Sequence, residues 1–400
     1  MSGAPLWTPA FRNLFVAQVV SVFGDGLVPV ALAIAVLQET GSPTSLGLVV
    51  ACRAVAMVLF VLAGGVWADR LPRRSLMAGA DLVRAGTQVG TGVLLLGSSP
   101  LAALAALQFA HGAATAVSNP AASGLVAELV PVGAQQRANG LLVTVASIGS
   151  VGGPALAGVI VVAAGASYAL IADGLTFVVS AALLLRIPAG PRRPAEQRFT
   201  ADLREGWREL TARTWLWVSV LDAGAFALCA SAAFVVIAPA VVIDDFGTGA
   251  WALLAALVGA GSVAGGAATL LRPARRPLAV GYTLSLAYAG FLAVLALGLP
   301  LVVPALAAVA AGFGLSYSET LYEAAVQEHI PDRVLARVSA WDWLGSTLPA
   351  PVGFALIGPV AAAAGETATL AGAAVLTAAA TCGALLVPDV RNLRHADTDV

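Results

Sequence analysis

The stretch Gly65-Val66-Trp67-Ala68-Asp69-Arg70-Leu71-Pro72-Arg73-Arg74 sets one acid among three arginines between two long apolar runs, near 45–68 and 75–97. Each run can cross the ~30 Å hydrocarbon core of a bilayer, which takes about 20 helical residues. The stretch therefore reads as a tight loop joining two membrane helices, and its arginines mark the cytoplasmic face. Gly65 permits close helix approach, while Asp69 can meet Arg73 or a helix N-terminus whose dipole favours an anion. Such contacts can latch a gate on that face. The plainer alternative is a topology signal that happens to hold one acid.

Outward from this loop the same pattern repeats. Apolar runs lie near 13–37, 45–68, 75–97, 100–126, 137–163 and 166–187, and again near 214–241, 249–271, 277–299, 301–327, 336–361 and 366–387. Twelve spans divide the chain into a six-helix half at 1–187, a polar segment at 188–213 and a second six-helix half at 214–400. The first run is long enough to span and reads as a retained helix. The connections at 38–45, 97–100, 164–167, 243–249, 298–300 and 364–366 hold no arginine. The opposite side takes Arg12, the Arg70/Arg73/Arg74 loop, Arg137, the central segment, Arg272/Arg275/Arg276, Arg333/Arg337 and Arg391/Arg394. The arginine bias thus predicts a multi-pass membrane protein with both termini cytoplasmic, and the arginine-only, alanine-rich composition points to a bacterial cytoplasmic membrane. In the central segment, arginines at 192, 193, 198, 204 and 208 alternate with Glu196, Glu205 and Glu209. It reads as a cytoplasmic linker able to form an amphipathic helix on the inner leaflet.

Composition excludes other classes. With 59% hydrophobic and 11% charged residues, against about 25% charged in soluble domains, a water-soluble fold is ruled out. All 21 basic residues are arginine, so neither a P-loop lysine nor a Schiff-base lysine is available. Cys52, Cys229, Cys382, His111, His329 and His395 are scattered, without metal or redox spacing. No nucleophile–base pattern suggests an enzyme. No cofactor, metal or nucleic-acid partner is expected; the expected partners are a small-molecule substrate, protons and the lipid bilayer, with the chain working as a monomer.

The two halves repeat at an offset of 200: Gly112, Glu128, Pro131, Arg137, Gly153, Gly158 and Gly165 recur as Gly312, Glu328, Pro331, Arg337, Gly353, Gly358 and Gly365. A parallel repeat of six-helix units, related by an axis along the membrane normal, is an architecture of secondary transporters with a midplane site between the halves.

The loop at Gly65–Arg74 resembles the signature of the major facilitator superfamily, G-x-x-x-D-R-x-G-R-[RK], with Pro72 at the usual glycine. The equivalent place in the second half offers Arg272, Arg275 and Arg276 without the acid. In the fifth run Gly140, Gly149, Gly153-Pro154 and Ala157-Gly158 resemble that superfamily's antiporter motif, G-x8-G-x3-G-P-x2-G-G, with alanine at one glycine. Small residues there let helices touch and Pro154 can bend the helix; generic small-residue packing would look the same. Phe23-Gly24-Asp25, Asn119-Pro120, Leu129-Val130-Pro131, Ala138-Asn139-Gly140 and the stretch from Gln327 to Arg337 resemble the branch of macrolide efflux proteins and enterobactin exporters. The resemblance implies an all-α polytopic fold of twelve helices in two pseudo-symmetric halves. It also implies alternating-access export of a small, mostly apolar or amphipathic drug, antibiotic or secondary metabolite by proton antiport. A siderophore exporter of the same fold, or a transport-dead receptor or scaffold, are the alternatives.

Ionisable groups inside a bilayer are functional candidates. Asp25 falls near mid-membrane in the first run, with Arg53 on the adjoining run as its nearest counter-ion by sequence. His111 sits in the middle of the fourth run, and Glu319 and Glu323 share a helical face. These five are the proton-coupling candidates, although Asp25–Arg53 can equally be a structural pair. Asp222 and Asp342 fall in the inner half of the membrane, and Asp81 and Arg84 read as braces for the adjacent loop. Phe23, Gln108, Asn119, Tyr317, Tyr322, Trp341 and Trp343 are candidates to line a substrate cavity, while Trp215 and Trp217 read as interface anchors.

Overall fold

The computed structural model describes residues 6–97, 100–188, 199–271 and 274–394, with the side chains of 62, 66, 68, 69, 199–203, 332 and 336 outside that description. The chain forms two compact units, Met1–Glu196 and Gln197–Val400.

The first unit holds α1 (Pro9–Thr40), α2 (Pro43–Arg70), α3 (Arg73–Leu94), α4 (Leu101–Leu129), α5 (Val132–Ala164) and α6 (Ala166–Leu185). Helix starts follow capping chemistry. Thr8 Oγ1 accepts from the Phe11 amide at 3.2 Å, and Ser42 Oγ from Ser45. Prolines 72, 100 and 131 stand at the N-caps of α3, α4 and α5, where a missing N–H costs nothing. Pro72 adopts φ −59°, so the turn it occupies needs no glycine. The α5–α6 turn does: Gly165 has φ +104° and its repeat mate Gly365 has φ +91°, a region that a Cβ disfavours.

The second unit begins with the short α7 (Phe199–Thr211). A continuous span follows, formed by α8 (Thr214–Phe226), two π-helical turns at Ala227–Ser231 and Ala233–Ile237, and α9 (Ala238–Phe246). Then come α10 (Thr248–Ala268), α11 (Pro277–Ala296), α12 (Val302–His329), α13 (Asp332–Thr347), α14 (Ala350–Ala364), α15 (Glu366–Leu386) and the single turn α16 (Pro388–Arg391). The eleventh apolar run, expected as one helix, is divided into α13 and α14 around Leu348-Pro349. Pro349 and Pro351 cannot donate to the preceding turn, so the ladder is interrupted there. The segment expected as a linker contributes α7, which docks on α13 within the second unit. Glu205 pairs with Arg337, the Trp207 and Trp341 rings lie 5.0 Å apart, and Leu210 is buried.

Among the described residues, eleven spans are long and apolar enough to cross a membrane. The twelfth is α3. It falls short on hydropathy because it buries Asp81, Arg84, Thr87, Gln88 and Thr91, one polar face turned toward α4 and α6, its main packing partners.

The repeat seen in the sequence is a repeat of packing. A core at the α4–α5 turn contains Leu125, Val126, Val130, Ala134 and Ala138; its counterpart at the α12–α13 turn contains Ala325, Val326, Ile330, Val334 and Val338, the same positions plus 200. Gly112 of α4 lies against the Arg53 carbonyl of α2, and Gly312 of α12 against the Val258 carbonyl of α10. Gly153 of α5 meets Gly26 of α1, and Gly353 of α14 meets the Leu228 carbonyl. None of the four contacts leaves room for a Cβ.

Candidate transport sites

A polar chain runs through the interior of the first unit, starting at Asp25. Its Oδ2 accepts from Arg84 Nη2 at 2.6 Å, and its Oδ1 lies 3.9 Å from Arg53 Nη2. Arg84 also donates to Asp81 Oδ1 at 3.3 Å, and its guanidinium covers the Phe177 ring 3.8 Å from the centroid. Ser180 Oγ donates to Asp81 Oδ2 at 2.6 Å. Two acids thus share one well-buried arginine, and the second arginine stands loosely by. Side-chain exposure is 9% for Arg84 but 35% for Asp25 and 26% for Arg53, so Asp25 and Arg53 are half-buried while Arg84 is enclosed.

Deeper in, Gln108 Nε2 donates to Gln88 Oε1 at 2.9 Å and Gln88 Nε2 to Asp173 Oδ2 at 2.7 Å. His111 Nδ1 lies 3.3 Å from Thr87 Oγ1, and Thr87 Oγ1 itself donates to the Arg84 carbonyl at 2.9 Å. The histidine is thereby tied to the arginine helix. Its Nε2 and Asp173 Oδ1 lack hydrogen-bond partners.

Two sequence readings change here. Asp81 and Arg84 do not brace the loop; both are buried on the inner face of α3, where Arg84 is the close partner of Asp25 and Arg53 the distant one. Gln108, expected at a cavity, is fully buried in the hydrogen-bonded chain. Phe23 lies against Gly152 of α5, and Asn119 is exposed on α4. Asp173, Gln88 and Ser180 carried no role in the sequence reading. Spacing finds Gln88, which shares one face of α3 with Asp81 and Arg84; Asp173 and Ser180 stand on α6, and no spacing in the sequence links them to that face.

The second unit holds an open cavity of about 520 Å3 lined by Asp222, Glu319, Glu323 and Asp342, with Tyr322 and Trp343 in its wall. Tyr322 donates its hydroxyl to Asp342 Oδ1 at 2.7 Å, and Thr381 Oγ1 donates to Asp222 Oδ1 at 2.9 Å. Trp341 and Tyr317 lie outside this wall. Trp341 meets Trp207 at a tilted angle, and Tyr317 stacks on Phe313 with 5.8 Å between centroids. Trp215 is buried beside Tyr322 and His329 instead of sitting at an interface, whereas Trp217 is exposed.

At the Gly65–Arg74 loop, Arg73 Nη1 donates to the Gly124 carbonyl at 2.7 Å and lies 3.1 Å from Glu128 Oε1. Arg74 binds the Ile187 carbonyl. Together they tie the start of α3 to the ends of α4 and α6, and Gly124 leaves the space Arg73 fills. Arg70 is exposed, and the side chain of Asp69 lies outside the described residues. Gly65 faces open space; the residue in close approach is its neighbour Gly64, against Ala116 and Val117 of α4. Along α5, Gly149 meets Val22 and Gly153 meets Gly26, while Pro154 and Ala157 are buried, Gly158 is half-buried and Gly140 has nothing near it. The antiporter-like motif is therefore an α1–α5 seam inside one unit.

Two helical units built on one repeat, with ionisable groups held inside their membrane-spanning bundles, define a polytopic membrane transport protein. Residues 14–354 match the Major Facilitator Superfamily, and the chain belongs to that superfamily. It is similar to the enterobactin exporter EntS of Salmonella choleraesuis, 31% identical over 205 residues, which are 49% of this chain and 48% of the relative. The chain thus spans about half the length of the curated relatives it matches. Among solved structures it resembles the nucleoside transporter NupG, with TM-score 0.77 and 13% identity over 94% of this chain and 99% of that one. It also resembles a bacterial homolog of the human lysosomal transporter Spinster, with TM-score 0.75 and 16% identity over 96% of each chain. At these identities the structural likeness speaks to the fold.

Proposed function

We propose that the chain is a secondary active exporter of a small, mostly apolar or amphipathic compound, driven by proton antiport with alternating access between its two six-helix halves. The observation that carries this reading is the Asp25–Arg84–Arg53 group. A carboxylate inside a membrane bundle with one close and one distant arginine has two charge arrangements open to it, and protonating it releases Arg84 to Asp81 alone. Such a bistable pair is what coupling a proton to a conformational change requires. The direction, outward, rests on the exporter relatives and on the antiporter-like seam at Gly149, Gly153 and Pro154. Reconstituted into liposomes with an imposed pH gradient, the protein is expected to accumulate compound against its gradient. Cells carrying it should tolerate the same compound better than cells without it. A scaffold or receptor would show no gradient-driven flux. The enterobactin exporters among its relatives favour a siderophore as the second reading, checked by measuring secreted catecholate chelators with and without the protein.

The same reading places both termini and the 188–213 segment in the cytoplasm. With Cys52, Cys229 and Cys382 replaced, Ala195→Cys is expected to resist an impermeant thiol reagent in intact cells and to react once the membrane is opened. Labelling from outside would invert the topology.

Asp69 is proposed to latch the cytoplasmic gate, as the single acid of the arginine loop. Asp69→Asn should cut transport about tenfold or more, the value of roughly 1.4 kcal/mol of state preference, while membrane insertion stays normal. Full transport at equal protein levels would leave the loop a topology signal.

A further inference from the structure

The cavity of the second unit carries charge of one sign only. Asp222, Glu319, Glu323 and Asp342 reach it, and no arginine or histidine lines it. None of these carboxylates is in an ion pair among the described residues. Their hydrogen-bond donors are neutral hydroxyls, Tyr322 on Asp342 and Thr381 on Asp222, which orient a carboxylate without balancing its charge. Acids gathered inside a membrane bundle call for a cation to face them. An inorganic ion is a poor match, because no three acidic, histidine or cysteine side chains among the described residues are close enough to hold a metal. A volume of about 520 Å3 admits a ligand of molecular size. Trp343 and Tyr322 supply aromatic surface of the kind that attracts an organic cation.

A second observation points the same way. Thr377 lines the cavity, is 4% exposed, and its hydroxyl has no hydrogen-bond partner. A threonine in a helix usually satisfies its hydroxyl on the preceding turn; this one, in the cavity wall, does not.

We infer that the cavity binds an organic cation, an amine, guanidinium or quaternary ammonium on an aromatic or aliphatic body. The carboxylates hold its charge, and Thr377 meets a polar substituent. This names the substrate class for the exporter reading and rests on it for the step from binding to transport. Neutral compounds gain nothing from the acids and anions are repelled by them.

The test uses the purified full-length protein and equilibrium binding of radiolabelled tetraphenylphosphonium, alongside tetraphenylborate, which has the same shape and the opposite charge. Wild type is expected to bind the cation saturably and at least tenfold more tightly than the anion. Glu319→Gln/Glu323→Gln and, separately, Asp342→Asn should each reduce that ratio severalfold, whereas Asp389→Asn, on the exposed last turn, should leave it unchanged. Because the ratio is read on one sample, partial loss of folded protein does not alter it; if the double variant does not fold, Glu323→Gln alone and Asp342→Asn decide. Ethidium, whose amino groups can donate to a hydroxyl, should lose affinity severalfold in Thr377→Val while tetraphenylphosphonium does not. Equal binding of cation and anion, or a ratio untouched by the carboxamide variants, overturns the proposal. Carboxylate-dependent cation binding without gradient-driven flux would keep the site and remove the exporter; uphill flux of neutral compounds without cation binding would do the reverse.

Discussion

Asp25→Asn is expected to abolish proton-driven accumulation while leaving downhill exchange of substrate in place. The substitution preserves shape, and the asparagine carbonyl can still accept from Arg84 Nη2, now 2.6 Å from Asp25 Oδ2. What it removes is the ability to gain and lose a charge. Arg84 keeps Asp81 as its counter-ion at 3.3 Å, so the enclosed arginine is not left unpaired, a defect that costs about 3–5 kcal/mol; Arg53 loses only a long contact of 3.9 Å from a side chain that is 26% exposed. Coupling free energies of about 1–3 kcal/mol correspond to factors of roughly 5–150, and the accumulation ratio against an imposed pH gradient should fall by a factor of that order. Counterflow, which needs alternating access but no net proton movement, should survive. Uphill pumping with normal pH dependence in the variant would make Asp25 a structural partner of the arginines and move attention to Glu319, Glu323 and His111.

Much of the fold was legible because its signals are one-dimensional. Arginine alternates from side to side along the chain, and glycine recurs at a fixed offset; neither needs contacts to be known. The polar third run was harder, since hydropathy alone discounts a span that buries Asp81, Arg84 and Gln88. Arg53 does reach Asp25, but the closer partner was missed for a geometric reason. Sequence order suggests that neighbouring antiparallel helices pack together, yet α1 packs chiefly on α5 and α6, α2 on α4 and α3 on α6. The third helix, two steps along the chain, therefore delivers Arg84 to Asp25, and the adjoining helix leaves Arg53 at 3.9 Å.

Helical phase explains other errors. Trp341 and Trp343 are two residues apart, so at 3.6 residues per turn they point to different sides. Trp343 reaches the cavity while Trp341 meets α7. The step from Gly65 to Gly64 is the same error by one residue: a motif position marks the right turn of helix, and only the packed structure shows which of two adjacent glycines faces α4. The acids of the second unit were legible singly. Their convergence was not, because α8, α12 and α13 supply them from positions 222 to 342 and no periodicity spans that distance.

Valine at Gly312 is expected to keep the folded protein from accumulating, and valine at Gly112 should do the same to a similar degree. Overpacking a core side chain costs about 1–3 kcal/mol and occasionally more, a range that assumes neighbouring side chains can turn aside. Here the atoms in the way are the Val258 carbonyl for Gly312 and the Arg53 carbonyl for Gly112. A backbone carbonyl within a helix cannot rotate away without breaking its own hydrogen bond, so α12 must separate from α10, or α4 from α2, along the whole contact. In a bilayer such separation is not offset by any hydrophobic gain, because close van der Waals packing is itself what joins membrane helices. Alanine at either position should lower the apparent melting temperature in detergent, and valine should lower the yield of monodisperse protein severalfold. Gly86 and Gly140 provide the contrast: nothing lies within 4 Å of the Cβ site at either, and alanine there removes the conformational freedom of a helical glycine, worth roughly 0.5–1 kcal/mol. Those variants should equal or exceed wild type. Matched losses at Gly112 and Gly312 are the result expected if the repeat exists to hold these two helix pairs at contact distance, and a wild-type yield from Gly312→Val would show that the α10–α12 contact does not hold its unit together.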